Sequence, residues 1–350
     1  MPNIGIMGST GYAGAELLRL LAVHPQVKIK FMGSHSYAGQ AFSDIYQSFG
    51  HIDGTKGQIC TSADLQTMAK ECDVVFLALP HGIASEEVQE SILSNTKIID
   101  LGADFRIKDA DVYEKWYNKE HKSKELLPHA VYGLCEINRE KIKNSRLIAN
   151  PGCYSTCSIL ALYPLLEAGV ISPEDIIIDA KSGVSGAGRA AELGSLFCEV
   201  NETTKAYKVI SHRHTPEIKE QLSIAAGIRV SLIFTPHLIP MNRGILVTAY
   251  AKLKGERTYE EILDVYKTHY GGEYFIRMTK RGTFPETRWV KASNFCDIGF
   301  TLDEDSGRII IVAALDNLVK GAAGQAVQNM NIIFELDEKT GLENVPVFPC

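Results

Sequence analysis

The chain has 350 residues, 45% of them hydrophobic and 22% charged, with a formal net charge of −6, eight cysteines, 29 glycines and 13 prolines. At roughly 150 residues per domain that length holds about two domains, and the composition excludes disordered, collagen-like and low-complexity classes. The acidic balance gives no electrostatic footprint for nucleic acid or an anionic membrane, and eight cysteines without a CxxC pair exclude a disulfide scaffold and the usual zinc signatures.

In chain order, Asn3–Met7 reads as a strand with no basic region and apolar segment before it. The longest pure apolar run, Ile309–Leu315, falls far short of the ~20 residues a membrane helix needs. A soluble, cytoplasmic protein with reduced thiols is therefore expected. Ala13–His24 carries apolar residues at helical spacing, and Val27–Ser34 reads as a second strand. Asp73–Leu79, Lys97–Leu101 and Arg146–Asn150 are short apolar runs of the fully buried kind, with a helical Ala84–Leu93 between two of them. Buried strands alternating with helices give a Rossmann-type, doubly wound parallel sheet. After Pro151 the strands lengthen: Ile176–Lys181, Ser231–Thr235, Gly244–Leu253, Tyr274–Met278, Phe295–Leu302 and Arg308–Ala314. Helical stretches remain at Ala190–Val200, Pro216–Ala226 and Tyr259–His269. This half reads as a second α+β domain on a largely antiparallel sheet. A final helix is expected near Leu318–Asn331.

Gly8-Ser9-Thr10-Gly11-Tyr12-Ala13-Gly14 links the first strand to the first helix. Glycines at such a turn let the backbone approach a pyrophosphate, whose charge rests on the helix N-terminus. The second strand ends in Gly33-Ser34-His35-Ser36, with no acid to hold a ribose 2′-hydroxyl. A hydroxyl such as Ser34 and an imidazole suit a 2′-phosphate, so NADP(H) is the expected cofactor. Asn150-Pro151-Gly152-Cys153-Tyr154-Ser155-Thr156 follows a buried strand and opens the apolar helical run Ile159–Leu166. A cysteine at a helix N-terminus meets backbone N–H groups that favour its thiolate and can hold an oxyanion. Cys153 is thus the candidate nucleophile. Cys157, Cys60, Cys72, Cys198 and Cys296 read as core; Cys135 and Cys350 have no case for chemistry.

These residues, with Asp100–Arg106 (DLGADFR), Val131–Glu136 (VYGLCE), Ser182–Arg189 (SGVSGAGR), His212–Ile218 (HRHTPEI), Thr235–Ile245 (TPHLIPMNRGI) and Asp316–Asn329 (DNLVKGAAGQAVQN), give a chain that resembles the N-acetyl-gamma-glutamyl-phosphate reductases of arginine biosynthesis. That family is related to aspartate-semialdehyde and glyceraldehyde-3-phosphate dehydrogenases. The resemblance spans essentially the whole chain, and Cys135 departs from it where the family often has proline. It implies an acyl phosphate substrate, NADPH and a Cys153 thioester. The proton on the thiohemiacetal oxygen calls for an imidazole; of His212 and His214 the role goes to His214, with His212 a loop hydrogen-bonding residue. Arg106 is implied as the phosphate contact and Arg243 as the carboxylate contact. Asn150, Ser182 and Gly183 are placed with the substrate. Gly186 lies on a glycine-rich loop able to close over substrate or nicotinamide, and Asn317 resembles a nicotinamide-amide contact. That placement makes the dinucleotide-binding domain discontinuous, 1–152 plus 315–350, with a catalytic and dimerisation domain at 153–314. A homo-oligomer, dimer or tetramer, is implied; no metal is expected. The rival readings are a carrier-linked aminoadipyl-phosphate reductase, for which no basic cluster is evident, and a non-catalytic dinucleotide-binding regulator, which would not need Cys153 or the histidines.

Overall fold

The computed structural model describes residues 1–62 and 64–348. Cys350 lies outside the described residues. The chain divides into two units: Met1–Pro151 with Ala322–Asn344, and Gly152–Gly321 with the residues from Val345 onward. The first unit is discontinuous, and the chain returns to it at Ala322; residues 315–321 belong with the second.

In the first unit β1 (Asn3–Met7) leads through the glycine turn into α1 (Tyr12–Leu21), followed by β2 (Lys28–Gly33), β3 (Val74–Leu77), β4 (Lys97–Asp100), β5 (Val131–Tyr132), α2 (Cys135–Lys143) and β6 (Leu147–Ala149). All six strands pair in parallel in the order β2-β1-β3-β4-β6-β5. β3 and β6 are buried along their whole length, as apolar runs covered on both faces must be. Strand order reverses at β1, which lies between β2 and β3, so the carboxyl end of β1 is a topological switch point of the kind that binds ligands. The expected helix at Ala84–Leu93 is two short ones, Ile83–Glu87 and Glu90–Leu93.

The second unit starts with α3 (Cys153–Glu167) and continues with β7 (Ile176–Ser182), β8 (Lys205–Ala206), α4 (His214–Ala226), β9 (Leu232–Leu238), β10 (Ile245–Lys252), α5 (Tyr259–Tyr270), β11 (Ile276–Met278), β12 (Cys296–Asp303) and β13 (Arg308–Leu315). Its seven-stranded sheet runs β11-β12-β13-β10-β7-β9-β8. The β7–β9 and β11–β12 pairs are parallel and the other four antiparallel. Side chains alternate along β7, β9 and β10 between buried and open positions, so one face carries the core. α3 is buried almost all round, as a helix apolar on every side should be. Its Pro164 cannot bond the Leu160 carbonyl, and the Tyr270 hydroxyl from α5 donates to that carbonyl at 2.8 Å instead.

Three expectations need correction. Ala190–Val200 is no continuous helix: it holds a 3-10 turn at Leu193–Ser195 and four helical residues at Phe197–Val200, nearly all exposed. Among the described residues no element buries an apolar stripe there, and packing rather than propensity stabilises short helices. Cys198 within it is exposed, not core. The last helix begins as a π-helical turn, Val319–Ala323, and becomes α6 (Gly324–Ile333) only afterwards. Among the described residues no helix is long and apolar enough to cross a membrane, and no group of three or more acids, histidines and cysteines is placed to hold a metal ion.

Candidate active site

The glycine turn of the first unit is shaped by contacts that exclude side chains. Gly8 has φ +80°, and a Cβ there would lie 2.2 Å from the Ala78 carbonyl oxygen beyond β3. A Cβ on Gly14 would lie 2.2 Å from the Gly8 oxygen. At Gly11 the nearest atom stands 3.5 Å away, so that glycine leaves open space beside the helix start. Gly11 is the N-cap of α1 and supplies no side-chain cap. The N–H groups of Tyr12, Ala13 and Gly14 therefore face the opening with no intrahelical acceptor, which is the arrangement that holds a diphosphate. Ser9 Oγ donates to the Gly33 carbonyl at 3.0 Å, fixing the turn to the end of β2.

Ser34 is buried, its Oγ 2.8 Å from Thr10 Oγ1 and accepting from the Tyr37 N–H at 3.3 Å. Its hydroxyl thus braces the turn. His35 and Ser36, which follow, are exposed. Arg106 and Asn150 are also largely engaged within the first unit. Arg106 is buried and donates from Nε to the Asn150 carbonyl at 2.7 Å and from Nη2 to the Leu101 carbonyl at 2.8 Å. The Asn150 amide donates to the Ala322 carbonyl at 3.1 Å and accepts from Asn329 Nδ2 at 3.0 Å. Both residues tie the ends of β4 and β6 together and anchor the returning chain. Asp100, at the end of β4, is fully buried, with Oδ1 accepting from the Gly102 N–H at 2.8 Å and Oδ2 without a partner. Burial, then the charge of Asp104, pushes its carboxyl up to about 7.

In the second unit Cys153 is the first residue of α3, half-buried, with Gly152 as N-cap. The Gly152 N–H donates at 2.8 Å to Oε1 of Glu217, a fully buried carboxylate on α4. That bond fixes the start of the cysteine helix to the helix that begins with His214. The Tyr154 ring stacks edge-on against His212 and His214, with centroids 5.5 and 6.0 Å away. Its hydroxyl donates to the His237 carbonyl at 3.1 Å and lies 3.3 Å from the Tyr207 hydroxyl. Burial raises both phenols, Tyr207 to about 12, so they keep their protons. His212 accepts the His214 N–H at Nδ1, 3.1 Å away. Burial, then the neighbouring His214, lowers its pKa to about 2, so His212 is a neutral acceptor that caps the helix. Cys157, one turn beyond Cys153, is pushed well up by burial and stays a thiol.

Ser182, Gly183 and Gly186 sit where β7 ends. Ser182 is buried, its hydroxyl donating to the Gly183 carbonyl at 2.9 Å, and it lies close to the Tyr154 phenol, so the structure brings it beside the cysteine helix. The 3-10 turn Val184–Ala187 is tied to the loop before β10 by the Gly183, Val184 and Ser185 N–H groups. Asn317 is engaged at both ends of its amide: Oδ1 accepts from the Gly244 N–H at 2.8 Å and Nδ2 donates to Ser185 Oγ at 2.9 Å. It holds this loop pair in register. Arg243 is half-buried and reaches Asp316 Oδ2 at 3.5 Å. The unit therefore gathers Cys153, Tyr154, Ser182, Tyr207, His212, His214 and Glu217 into one cluster. Sequence reasoning had no role for Glu217 or Tyr207. Glu217 stands one helical turn after His214, which is the signal that was there to read.

Family models match both units: a semialdehyde dehydrogenase NAD binding domain over residues 3–145 and a semialdehyde dehydrogenase dimerisation domain over 153–317. The chain is 56% identical over 351 residues to the N-acetyl-gamma-glutamyl-phosphate reductase of Lachnospira eligens, covering 100% of both. It is 52% identical over 342 residues to that of Campylobacter jejuni, covering 97% of this chain and 98% of the relative. In fold it is similar to aspartate semialdehyde dehydrogenase II of Vibrio cholerae (TM-score 0.73, 17% identity, 96% of this chain and 98% of that one). The Candida albicans aspartate semialdehyde dehydrogenase solved with NADP is also similar (TM-score 0.69, 17% identity, 95% and 98%).

Proposed function

The chain belongs to the N-acetyl-gamma-glutamyl-phosphate reductase family, and we propose that it reduces N-acetyl-gamma-glutamyl phosphate to N-acetyl-glutamate 5-semialdehyde through a thioester on Cys153, as a step of arginine biosynthesis. The observation that carries this reading is the half-buried cysteine at the first position of α3, joined through Gly152 and Glu217 to the helix that presents His214.

The helix-start N–H groups favour the Cys153 thiolate, which attacks the acyl carbon; the carbonyl oxygen takes the electron pair and rests on those same N–H groups. Collapse of that oxyanion expels inorganic phosphate and leaves the thioester. NADPH, when bound, supplies the hydride that takes the acyl carbon to the aldehyde level. His214 gives a proton to the thiohemiacetal oxygen and takes it back as the sulfur leaves, regenerating the Cys153 thiolate. His212, held neutral, keeps the start of α4 in place. Arg243 meets the substrate's carboxylate, and Arg106 adds positive charge for the phosphate while bracing β4 and β6. The uncapped start of α1 with Gly11 cradles the NADP(H) diphosphate, and His35 with Ser36 takes the 2′-phosphate.

The enzyme works as a homodimer joined through the open sheet face that carries Ile177, Ile233 and Tyr250, in the part matched by the dimerisation-domain model. Seven free cysteines among the described residues suit the reducing cytoplasm. The test is the reverse reaction: NADP reduction with N-acetyl-glutamate semialdehyde, dependent on phosphate. Equal or greater turnover with aspartate semialdehyde, or turnover unaffected by omitting phosphate, would overturn the reading.

A further inference from the structure

π-helical turns are rare and concentrate at functional sites. The turn Val319–Ala323 is held from several directions. The Gly321 N–H donates to the Asp316 carbonyl, five residues back, at 2.9 Å. The buried Asp316 carboxylate accepts from the Leu318 and Val319 N–H groups at 2.8 and 3.2 Å and from the Ala292 N–H at 2.7 Å. Lys320 is fully buried, its Nζ 5.6 Å from the centre of the Phe275 ring.

This turn delivers Gly321 against the cysteine. A Cβ on Gly321 would lie 2.7 Å from Cys153 Cβ and 3.1 Å from Cys153 Cα. Gly321 is not among the glycines of positive φ, so space and not backbone conformation requires glycine here. The atoms it meets are the root of Cys153 in the first turn of α3, which cannot swing aside as the end of a long side chain can. Carbon atoms in contact stand about 3.5–4.0 Å apart, so a methyl group would force the start of α3 and the turn apart by about 1 Å.

We propose that Gly321 is a positioning residue for the Cys153 thiol: the π turn places a bare Cα behind the cysteine and so sets where its sulfur stands relative to the helix-start N–H groups and His214. The inference rests on the reading of Cys153 as nucleophile. A displacement of about 1 Å at a reacting group costs on the order of 10²-fold in rate.

The experiment compares the full-length protein with Gly321→Ala by steady-state kinetics and by the pH dependence of Cys153 alkylation with iodoacetamide. Gly321→Ala is expected to lose about 10²-fold in kcat while KM for the acyl phosphate and Kd for NADPH change less than about threefold, and to alkylate several-fold more slowly. Ala323→Gly loosens the same stretch without adding an atom beside the cysteine, and it should keep kcat within about threefold of the parent. An equal loss in Ala323→Gly, or a Gly321→Ala protein of parental kcat, overturns the proposal. Thermal melts of Gly321→Ala, Cys153→Gly and their double variant keep the test open should Gly321→Ala fold poorly: the destabilisation should shrink once Cys153 lacks Cβ, and no relief overturns the proposal. Alkylation reports on the thiol whatever the substrate, so a parent inactive on acyl phosphate sinks the reductase reading, whereas superimposable alkylation profiles sink this one.

Discussion

Asp100→Asn replaces a fully buried carboxyl by a neutral group of the same shape. Asp100 rises from an ordinary value of 3.8 to about 7 in the folded chain, because burial penalises its charge and Asp104 adds repulsion, against the pull of the Gly102 N–H and Arg106. The folded state therefore holds one more proton than the unfolded state between about pH 4 and pH 7, and stability falls with rising pH across that window. About three pH units at ~1.36 kcal/mol each cost the parent up to roughly 4 kcal/mol by pH 7, and the cost stays constant above it. The Asp100→Asn variant carries no such slope. Its new amide nitrogen would replace Oδ2, which has no partner, so the variant starts about 1–3 kcal/mol behind at low pH. The difference between the two proteins should thus change sign on going from pH 4 to pH 8, with the variant the more stable at the alkaline end. Urea denaturation of both at half-unit steps measures it, and parallel curves would show that burial does not hold Asp100 protonated.

Glu217→Leu orphans the buried Gly152 N–H and should cost about 1–3 kcal/mol of stability with a kcat loss of about 10²-fold, whereas Glu217→Gln keeps an acceptor and should stay within about tenfold; urea midpoints and kcat for the pair check it. Gly8→Ala should lose both stability and NADPH affinity, because its Cβ meets the Ala78 carbonyl. Gly11→Ala should fold normally and lose affinity alone, as titration of bound NADPH and a thermal melt would show. Ile233→Asp places a charge on the open sheet face, where Ile233 is 55% exposed, and should yield monomers in size-exclusion chromatography with an unchanged melt at low concentration.

Much of the fold could be read because its strands are short, apolar and separated by glycine and proline. The placement of Cys153 at a helix start was legible because its signal is local: a proline and a glycine, then a helix. Glu217 and Gly321 were not, since their roles arise where distant segments meet; Glu217 reaches Gly152 across 65 residues of sequence. The polar residues Ser34, Asn150 and Asn317 show the converse. Residue type marked Ser34, and the family resemblance marked Asn150 and Asn317, as ligand contacts; the bonds their side chains make in the structure brace loops and strand ends. Hydrogen-bonding capacity is visible in a sequence, while the partner that takes it is decided by tertiary packing. The segment 190–200 failed for the same reason, since apolar spacing predicts a helix only where something covers the stripe.

The covalent role of Cys153 is tested most directly by mixing the enzyme with N-acetyl-gamma-glutamyl phosphate in the absence of NADPH, quenching in acid and locating the acyl group by peptide mass spectrometry. A burst of about one phosphate per site and an N-acetylglutamyl adduct on the peptide containing Cys153 are expected, both absent in Cys153→Ala. Unlabelled Cys153 after such a burst, or a Cys153→Ala enzyme that still reduces the substrate with NADPH, would contradict that covalent role.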